Sequence, residues 1–511
     1  MKNEMGHRQV LESLSGLLLA LFVAMVSSTV VSTALPRIIG SLNGTQTQYT
    51  WVVTATLLTA TATTPIWGKL ADLFNKKTLV QAAIVIFVIG SLLSGFAQDT
   101  GQLIAARAFQ GLGVGGLQAL VQVVIAAIIP PRERGRYNGY LGAVMAVATV
   151  GGPLLGGLIV DVSWLGWRWC FWVAVPIAAI AFVVLQATLK LETVRRENVR
   201  IDYVGAELIA AGVSVLLIWV SFVGNSFDWL SWQTAAMVGG GLALLGAAVA
   251  VELKVDEPVV PLHIVVQRTP ALAIIASLAV GMAMFGGAVF LGQYFQIGRG
   301  YTPTEAGLLT IPLMAGVLVS STISGRLISR TGRIKPYIVT GTITLVIGFL
   351  GLGFVDHATA LWLVGVAMAV VGIGVGMTMQ NLVLAVQNSV ALSELGAASA
   401  SVTFFRSLGG TIGVSVLGAV LANRVTTDLS AALHVPAGQS TGDTSALNLA
   451  ALPPQVQTIV HTVYGDATAH VFLISAAVGV VGVVAALLLK PITLRTTIDL
   501  EKKEADSAVA R

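Results

Sequence analysis

Residues 137–160 read YNGYLGAVMAVATVGGPLLGGLIV, a run without a charged side chain. Crossing the hydrocarbon core of a bilayer, roughly 30 Å thick, takes about 20 apolar helical residues. This run is long enough to cross, and comparable runs recur from one end of the chain to the other. The sequence therefore predicts a helical protein that crosses a membrane many times.

The composition agrees with that expectation. Hydrophobic residues make up 55% of the chain and charged residues only 10%, whereas about a quarter of the residues in a soluble domain are charged. We predict fourteen membrane spans. They cover, approximately, residues 14–35, 48–70, 79–97, 102–128, 137–160, 168–189, 202–222, 235–253, 269–293, 305–328, 336–355, 361–386, 396–422 and 468–489.

The distribution of basic residues predicts the orientation. An even number of spans places both termini on one side, and most of the 29 lysines and arginines fall in the predicted segments on that side. Since cytoplasmic loops are enriched in basic residues, both termini should be cytoplasmic. The net charge of +5 then reflects topology, and we expect no nucleic acid partner. A long polar connection at about 424–467 should lie outside the cell, with no chemistry assigned to it.

An internal repeat divides the chain. Three glycine-containing landmarks recur in the same order at an offset of about 260 residues, as in transporters built from two related halves. The pairs are 68–72 (GKLAD) with 325–329 (GRLIS), 111–115 (GLGVG) with 372–376 (GIGVG), and 151–152 with 409–410. We predict a six-helix half at 1–200, two inserted helices at 201–254, a second six-helix half at 255–490, and a cytoplasmic tail at 491–511.

Three motifs lie in the first half: residues 68–77 (GKLADLFNKK), 103–113 (LIAARAFQGLG) and 142–157 (GAVMAVATVGGPLLGG). They resemble motifs of the major facilitator superfamily, and within it the fourteen-span drug:proton antiporters of the EmrB/QacA type. The resemblance extends over nearly the whole chain. It implies an all-α polytopic major facilitator fold and efflux of drug-like molecules or antibiotics by proton antiport with alternating access. The proton gradient would supply the energy, with no cofactor.

Two of these motifs carry candidate coupling residues. Asp72 lies at a helix end with Lys76 and Lys77 nearby, an arrangement that can form a charge latch between helix bundles; alternatively, the lysines only fix topology. Arg107 lies inside a span, where a central arginine costs about 2.5–3.5 kcal/mol and needs a compensating partner. The resemblance implies that it helps proton transfer or orients an acidic partner, and the alternative is an arginine that snorkels to the interface.

The third motif resembles the span 5 antiporter motif that separates exporters from uptake relatives. Proline removes a backbone donor, and glycines permit close helix contacts. The motif could therefore act as a hinge or seal, or simply pack. Its residues are Gly142, Gly151, Gly152, Pro153, Gly156 and Gly157.

One position departs from the family pattern. The acid that such exporters carry in span 1, two residues before a threonine, is Ser27 here, and a serine cannot take up and release a proton near neutral pH. The identity of the proton carrier stays open. Since drug cavities are largely apolar with few polar groups, Ser27 and eight further residues are candidates for the substrate cavity. The eight are Gln118, Gln122, Gln293, Tyr294, Gln380, Asn381, Phe404 and Arg406.

Other functions remain to be weighed. A proton-coupled uptake symporter or a dedicated exporter of one metabolite would share this architecture. A channel or receptor is a different class, but the chain has no TVGYG filter. The sequence lacks HExxH, GxSxG and GxxxxGK[ST], and Cys170 is the only cysteine. We therefore expect no enzyme and no metal site, and a monomer that handles lipophilic small molecules and protons.

Overall fold

The computed structural model describes residues 7–44, 46–162, 165–189, 202–224, 227–255, 258–433, 454–491 and 493–495. These residues form seventeen α-helices, many of them long enough to cross a bilayer. The helices are α1 (His7–Ser41), α2 (Gln46–Leu73), α3 (Lys76–Phe96), α4 (Thr100–Ile128), α5 (Pro131–Asp161), α6 (Trp169–Trp172), α7 (Ala174–Thr188), α8 (Tyr203–Phe222), α9 (Trp232–Glu252), α10 (Leu262–Val265), α11 (Arg268–Gln293), α12 (Pro303–Leu309), α13 (Ile311–Thr331), α14 (Lys335–Leu352), α15 (Leu361–Gln387), α16 (Leu395–Leu433) and α17 (Pro454–Leu488).

The helices confirm the predicted fold class, an all-α polytopic membrane protein. Within the described residues, thirteen helical segments are long and apolar enough to cross a membrane. The remaining predicted span, 48–70, corresponds to α2, which is 28 residues long but rich in threonine. Its hydroxyls lower the hydropathy, yet several bond to backbone carbonyls one turn earlier, as Thr63 and Thr64 do. A helix with internally satisfied hydroxyls can cross a membrane within a bundle.

Two predicted segments differ from the structure. The span at 305–328 is split at Thr310 between α12 and α13, where Pro312 in the first turn of α13 lacks a backbone N–H. The connection predicted at 424–467 is partly helical, because α16 continues to Leu433 and α17 already begins at Pro454. An Arg424–Asp428 pair, one turn apart at 3.4 Å, supports the polar extension of α16.

The helices pack as two bundles. In the N-terminal half, α1 packs against α5 and α7, and α4 against α2 and α3. In the C-terminal half, α11 packs against α16 and α17, and α15 against α13 and α14. The inserted helices α8 and α9 pack against each other, and α8 also contacts α2 and α16. An apolar cluster that includes Ala62, Val213 and Phe404 fills this junction, so the inserted pair touches both halves.

The halves meet mainly along two helix pairs: α2 with α16, and α5 with α13. In each pair, the second long helix of one half packs against the fifth long helix of the other, as two halves related by a pseudo-twofold axis require. We call the end of the bundle where α1 begins and α17 ends the terminal face. Most of the polar contacts between the halves lie toward this face.

Candidate functional site

The first joint between the halves is formed by Gly68 and Asp72 of α2 with Gly396 and Ala397 of α16. The backbone N–H groups of Gly396 and Ala397 donate to Asp72 Oδ1 and Oδ2 at 2.7 and 2.8 Å. Free N–H groups and the helix dipole make the first turn of a helix a favourable place for an anion. Asp72 therefore closes this joint by binding the start of α16.

Two glycines permit that close approach. A Cβ on Gly68 would lie 2.7 Å from the carbonyl oxygen of Gly396, and a Cβ on Gly396 would lie 2.2 Å from that of Gly68. Real Cβ atoms do not come this close to a backbone oxygen, so any side chain here would push the helices apart.

Of the two predicted lysines, Lys77 serves a different contact. Its Nζ donates to the carbonyl oxygen of Gln186 at the end of α7, at 2.8 Å. Its backbone N–H is capped by the side chain of Asn75 at 2.9 Å. Lys77 thus ties α3 to α7 within one half, while Lys76 begins α3 one turn beyond Asp72.

The second joint is formed by Arg132 and Gly135 of α5 with Gly325, Ser329 and Arg330 of α13. A Cβ on Gly135 or on Gly325 would lie 2.4 or 1.8 Å from the other's carbonyl oxygen. Arg132 Nε and Nη2 each donate at 3.2 Å to the carbonyl oxygens of Ser329 and Arg330 at the end of α13. A cation at a helix C-terminus is favourable for the same reason that an anion is at the N-terminus.

Polar side chains continue this closure into the bundle. Gln122 Nε2 of α4 donates to Gln380 Oε1 of α15 at 2.8 Å, across the interface between the halves. Nearer the terminal face, Arg134 Nη1 donates to Gln387 Oε1 at 2.8 Å, and Gln387 Nε2 donates to Ser399 Oγ at 2.9 Å. The structure is therefore closed at its terminal face by contacts that must break before a path can open there.

Arg107 lies in a buried polar network inside the N-terminal half. Its Nη1 donates to Gln110 Oε1 at 2.5 Å, and Gln110 Nε2 donates to Ser91 Oγ at 2.7 Å and Ser27 Oγ at 3.3 Å. The residue is 3% exposed, and its Nε has no hydrogen-bond partner among the described residues. No carboxylate of a described residue pairs with it. Burial excludes the snorkelling alternative for this side chain.

Ser27 contributes to this network instead of lining an open cavity. It is 2% exposed and receives its bond from Gln110. The position that holds the acid in the family pattern is thus linked through a single glutamine to the buried arginine. A carboxylate here would lie close to Arg107, whereas the serine leaves the guanidinium with neutral neighbours.

The α5 motif packs against α1 on one side and α13 on the other. A Cβ on Gly152 would lie 1.8 Å from Thr29 Oγ1, and a Cβ on Gly142 would lie 2.4 Å from Ser321 Oγ. A Cβ on Gly156 would lie 2.8 Å from the carbonyl oxygen of Val30 in α1. Gly151 by contrast has open space around it. Gly157 and Pro153 lie in the same continuous helix.

Several cavity candidates lie elsewhere. The Tyr294 hydroxyl donates to the carbonyl oxygen of Asp356 at 2.8 Å, toward the end of the bundle opposite the terminal face. Gln293 accepts a hydrogen bond from the Tyr464 hydroxyl at 3.1 Å. Phe404 packs against the inserted helices. Hydrogen bonds hold Tyr294 and Gln293, packing holds Phe404, and none of these contacts involves Gln122 or Gln380.

The remaining candidates lie in the spans. Asn381 is buried and donates to the carbonyl oxygen of Met377 one turn earlier, at 2.7 Å. Arg406 is 6% exposed and donates to the carbonyl oxygen of Met379 at 3.3 Å, linking α16 to α15. Gln118 is half-buried one turn before Gln122 on α4. Gln118, Gln122 and Gln380 are the predicted cavity residues that best fit a site between the halves.

The sequence reasoning missed the second joint. Arg132 and Arg134 are among the basic residues from which the sequence predicts the orientation, and none of the predicted motifs includes Gly135. A signal was present, because Gly135 and Gly396 are 261 residues apart, the offset that also relates Gly111 to Gly372. Gly135 of α5 packs against Gly325 in the second joint, and Gly396 of α16 packs against Gly68 in the first.

Comparison with known proteins identifies the family. Residues 17–414 match the family model described as Major Facilitator Superfamily. The chain is 35% identical to an uncharacterized MFS-type transporter of Mycobacterium tuberculosis, over 94% of this chain and 69% of the relative. It is 35% identical to multidrug transporter protein MdtP of Bacillus subtilis, over 80% and 74% of the two chains. It is 32% identical to efflux pump dotC of Dothistroma septosporum, over 95% and 84%.

Solved structures agree on the fold. The human organic anion transporter MFSD10 superposes with a TM-score of 0.63 at 12% identity, covering 93% of this chain and 99% of its own. The proton:xylose symporter XylE superposes with a TM-score of 0.65 at 15% identity, covering 98% and 100%. At these identities the likeness concerns the arrangement of the helices.

Proposed function

The chain belongs to the major facilitator superfamily, and on this premise we propose that it exports lipophilic, drug-like molecules across the cytoplasmic membrane by proton antiport. Family membership makes it a multi-pass transporter of small molecules and confirms that it is not an enzyme. Export is supported by the relatives named as a multidrug transporter and an efflux pump. The α5 motif, whose glycines pack against both α1 and α13, is a second support.

One observation carries the mechanism: the two halves are closed at one end by discrete, breakable contacts. The Asp72 bonds to α16 and the Gln122–Gln380 bond cross the interface near the terminal face. If one half rocks against the other, these contacts break and the site between the halves opens to that side. With both termini in the cytoplasm, as the basic residues indicate, opening there would admit substrate from the cell.

Proton coupling would act on this equilibrium. Asp72 holds the closed state as a carboxylate, because its two oxygens accept the N–H groups that begin α16. Protonation would remove the charge and weaken the joint. Arg107, buried without a carboxylate partner among the described residues, would place a positive charge inside the N-terminal half and favour the ionised form of an acid that came within its reach. The protein would act as a monomer and draw its energy from the proton gradient alone.

Transport in proteoliposomes tests this function. Purified protein is reconstituted, and accumulation of a panel of dyes and antibiotics is measured with the vesicle lumen more acidic, then more alkaline, than the outside. Antiport predicts accumulation with the acidic lumen and its loss in Asp72→Asn and Arg107→Ala. Accumulation with the alkaline lumen would instead support the uptake symporter. Substrate movement without any response to the gradient would exclude proton coupling.

A further inference from the structure

The second joint lacks the acid that closes the first. Within the repeat, residues 68–72 correspond to 325–329, so Ser329 stands where the first half has Asp72. The Ser329 hydroxyl is buried and has no hydrogen-bond partner among the described residues. A serine cannot replace a carboxylate that accepts two backbone bonds, and the second joint must be held in another way.

A segment from the far end of the chain lies at this joint. Residues 493–495, which we call the strap, follow α17 and cross the terminal face. The Leu494 N–H donates to the carbonyl oxygen of Gly332 at 2.8 Å, and Thr493 forms an isolated antiparallel bridge with Arg333. Gly332 ends α13 in a left-handed conformation, with φ of 68°. The strap therefore begins on the turn between α13 and α14.

The side chain of Asn388 holds the strap from the other side. Its Nδ2 donates to the carbonyl oxygen of Thr493 at 3.1 Å, and its Oδ1 accepts the N–H of Arg495 at 2.9 Å. One amide group thus satisfies a donor and an acceptor of the strap backbone. Asn388 directly follows α15, so the strap joins α13 and α15 within the C-terminal half.

Arg495 completes the attachment. Its Nη2 donates to the carbonyl oxygens of Gln387 and Val390 at 2.9 and 3.1 Å, at the C-terminal end of α15. The residue is 8% exposed although it lies at the surface end of the bundle. Gln387 is also the residue whose side chain accepts a bond from Arg134 of the other half. Arg495 therefore fixes the backbone of a residue that bridges the two halves.

The strap also reaches the N-terminal half directly. The N–H of Arg132, in the first turn of α5, donates to the carbonyl oxygen of Arg495 at 3.1 Å. This N–H is one of the free donors that every helix N-terminus presents. In the first joint, free donors in the first turn of α16 bind Asp72. In the second joint, a free donor in the first turn of α5 binds the strap.

We propose that the strap is the closing element of the second joint, and that Arg495 positions it so that the terminal face stays shut until the halves rock apart. The strap stays with the C-terminal half through its bonds to Gly332, Asn388, Gln387 and Val390. Of the bonds made by the strap, the one from the Arg132 N–H is the one that opening breaks. The side-chain bonds of Arg132 and Arg134 across the interface break with it. This proposal rests on the proposed function only in taking the closed terminal face to be one state of a transport cycle.

Labelling of a buried cysteine tests the proposal without transport. Ser321 is 3% exposed in the α5–α13 interface, and Ser321→Cys is nearly isosteric. The native Cys170 is buried and can be replaced by serine. In full-length protein in nanodiscs, the rate of maleimide labelling at position 321 reports opening. Each substitution removes two hydrogen bonds that hold the strap, charge-assisted for Arg495 and neutral for Asn388. Since such a loss shifts the equilibrium by about tenfold, Arg495→Ala and Asn388→Ala should each raise the rate about tenfold.

Lys335→Ala is the matched control. It removes a positive charge on the same face, and its Nζ donates to the carbonyl oxygen of Leu487 within the C-terminal half at 2.8 Å. Its labelling rate should stay within about twofold of the parent. Equal rates in the parent, Arg495→Ala and Asn388→Ala would overturn the proposal. A rise with all three variants would do so as well, because it would indicate general loosening.

A cross-link provides a test that does not rely on weakening the fold. The double variant Arg132→Cys, Arg495→Cys places two thiols where the backbones are already joined by a hydrogen bond. The disulfide should slow labelling at position 321 about tenfold relative to the same protein after reduction. An oxidised protein that labels as fast as the reduced one would contradict the proposal. If labelling responds as expected but no substrate moves in proteoliposomes, the strap stands and the proposed transport function fails.

Discussion

Replacing Asp72 by asparagine should open the terminal face. Asparagine keeps one carbonyl oxygen, which can still accept the N–H of Gly396. Its amide nitrogen then faces the N–H of Ala397, so the second bond is lost, together with the negative charge at the start of α16. A hydrogen bond to a charged group contributes about 1.5–3 kcal/mol, and a charge at a helix end about 0.3–1 kcal/mol.

Together these losses amount to about 2–4 kcal/mol against the closed state, a change of roughly 30- to 900-fold in the ratio of closed to open molecules. Pulsed electron paramagnetic resonance can measure this ratio. Phe74 and Ser393 are exposed on either side of the first joint. With Cys170 replaced by serine, spin labels at these two positions report the distance between the halves.

Asp72→Asn should raise the population at long distance at least tenfold over the parent. Asp99→Asn is the control, because Asp99 caps the N-terminus of α4 by accepting the N–H of Gln102 at 2.8 Å within one half. It should leave the distances unchanged, because asparagine caps a helix about as well as aspartate and Asp99 makes no bond to the other half. If the distance distribution of Asp72→Asn superimposes on that of the parent, the carboxylate does not hold the joint and the reasoning is refuted.

Three further substitutions separate packing, charge and gating. Gly152→Ala places a Cβ 1.8 Å from Thr29 Oγ1 and should destabilise the folded protein by about 1–3 kcal/mol. Gly151→Ala meets open space and should be neutral or slightly stabilising. Thermal unfolding in detergent compares the two variants, and equal melting temperatures would contradict the packing argument. Arg107→Met removes a buried charge that has no carboxylate partner in the part of the chain that the structure describes, so the melting temperature should hold or rise while gradient-driven transport is lost. A lower melting temperature would instead indicate a structural role. Gln122→Ala removes a hydrogen bond between the halves that contributes about 0.5–1.5 kcal/mol. It should speed maleimide labelling of Ser321→Cys in the α5–α13 interface up to about tenfold. An unchanged rate would show that this contact does not hold the halves closed.

The spans could be predicted from sequence because the bilayer imposes a length and an apolar composition on each crossing. The structure differs where those constraints end. Residues 424–433 and 454–467 are polar, so hydropathy assigned them to a loop, yet they continue α16 and α17. A helix that leaves the membrane keeps its backbone hydrogen bonds, and local pairs such as Arg424–Asp428 suffice to extend it.

The candidate site was harder to predict, since a membrane helix can be apolar on every face and its periodicity does not show which face meets the other half. Phe404 and Tyr294 were assigned to a cavity on residue type, and the structure packs both within apolar clusters. Gln122 and Gln380 meet because a pair of amides can satisfy each other between the halves. The strap could not be predicted at all, because its partners are set by backbone carbonyls whose positions depend on the fold.

The two joints show how a duplicated architecture can acquire unequal gates. Both place a glycine of one helix against a glycine of the other, Gly68 with Gly396 and Gly325 with Gly135, so the backbone geometry is shared. The polar groups around those glycines are not. At the first joint a carboxylate accepts the N–H groups of α16, and its strength depends on the charge of that one group. At the second joint, neutral carbonyls of α13 accept bonds from the Arg132 side chain, and the strap binds the Arg132 N–H. Protonation of Asp72 would therefore weaken the first joint and leave the second unchanged. The two halves would begin to separate along α2 and α16, while α5 and α13 act as the pivot. The second joint would open when the bond between Arg132 and the strap breaks.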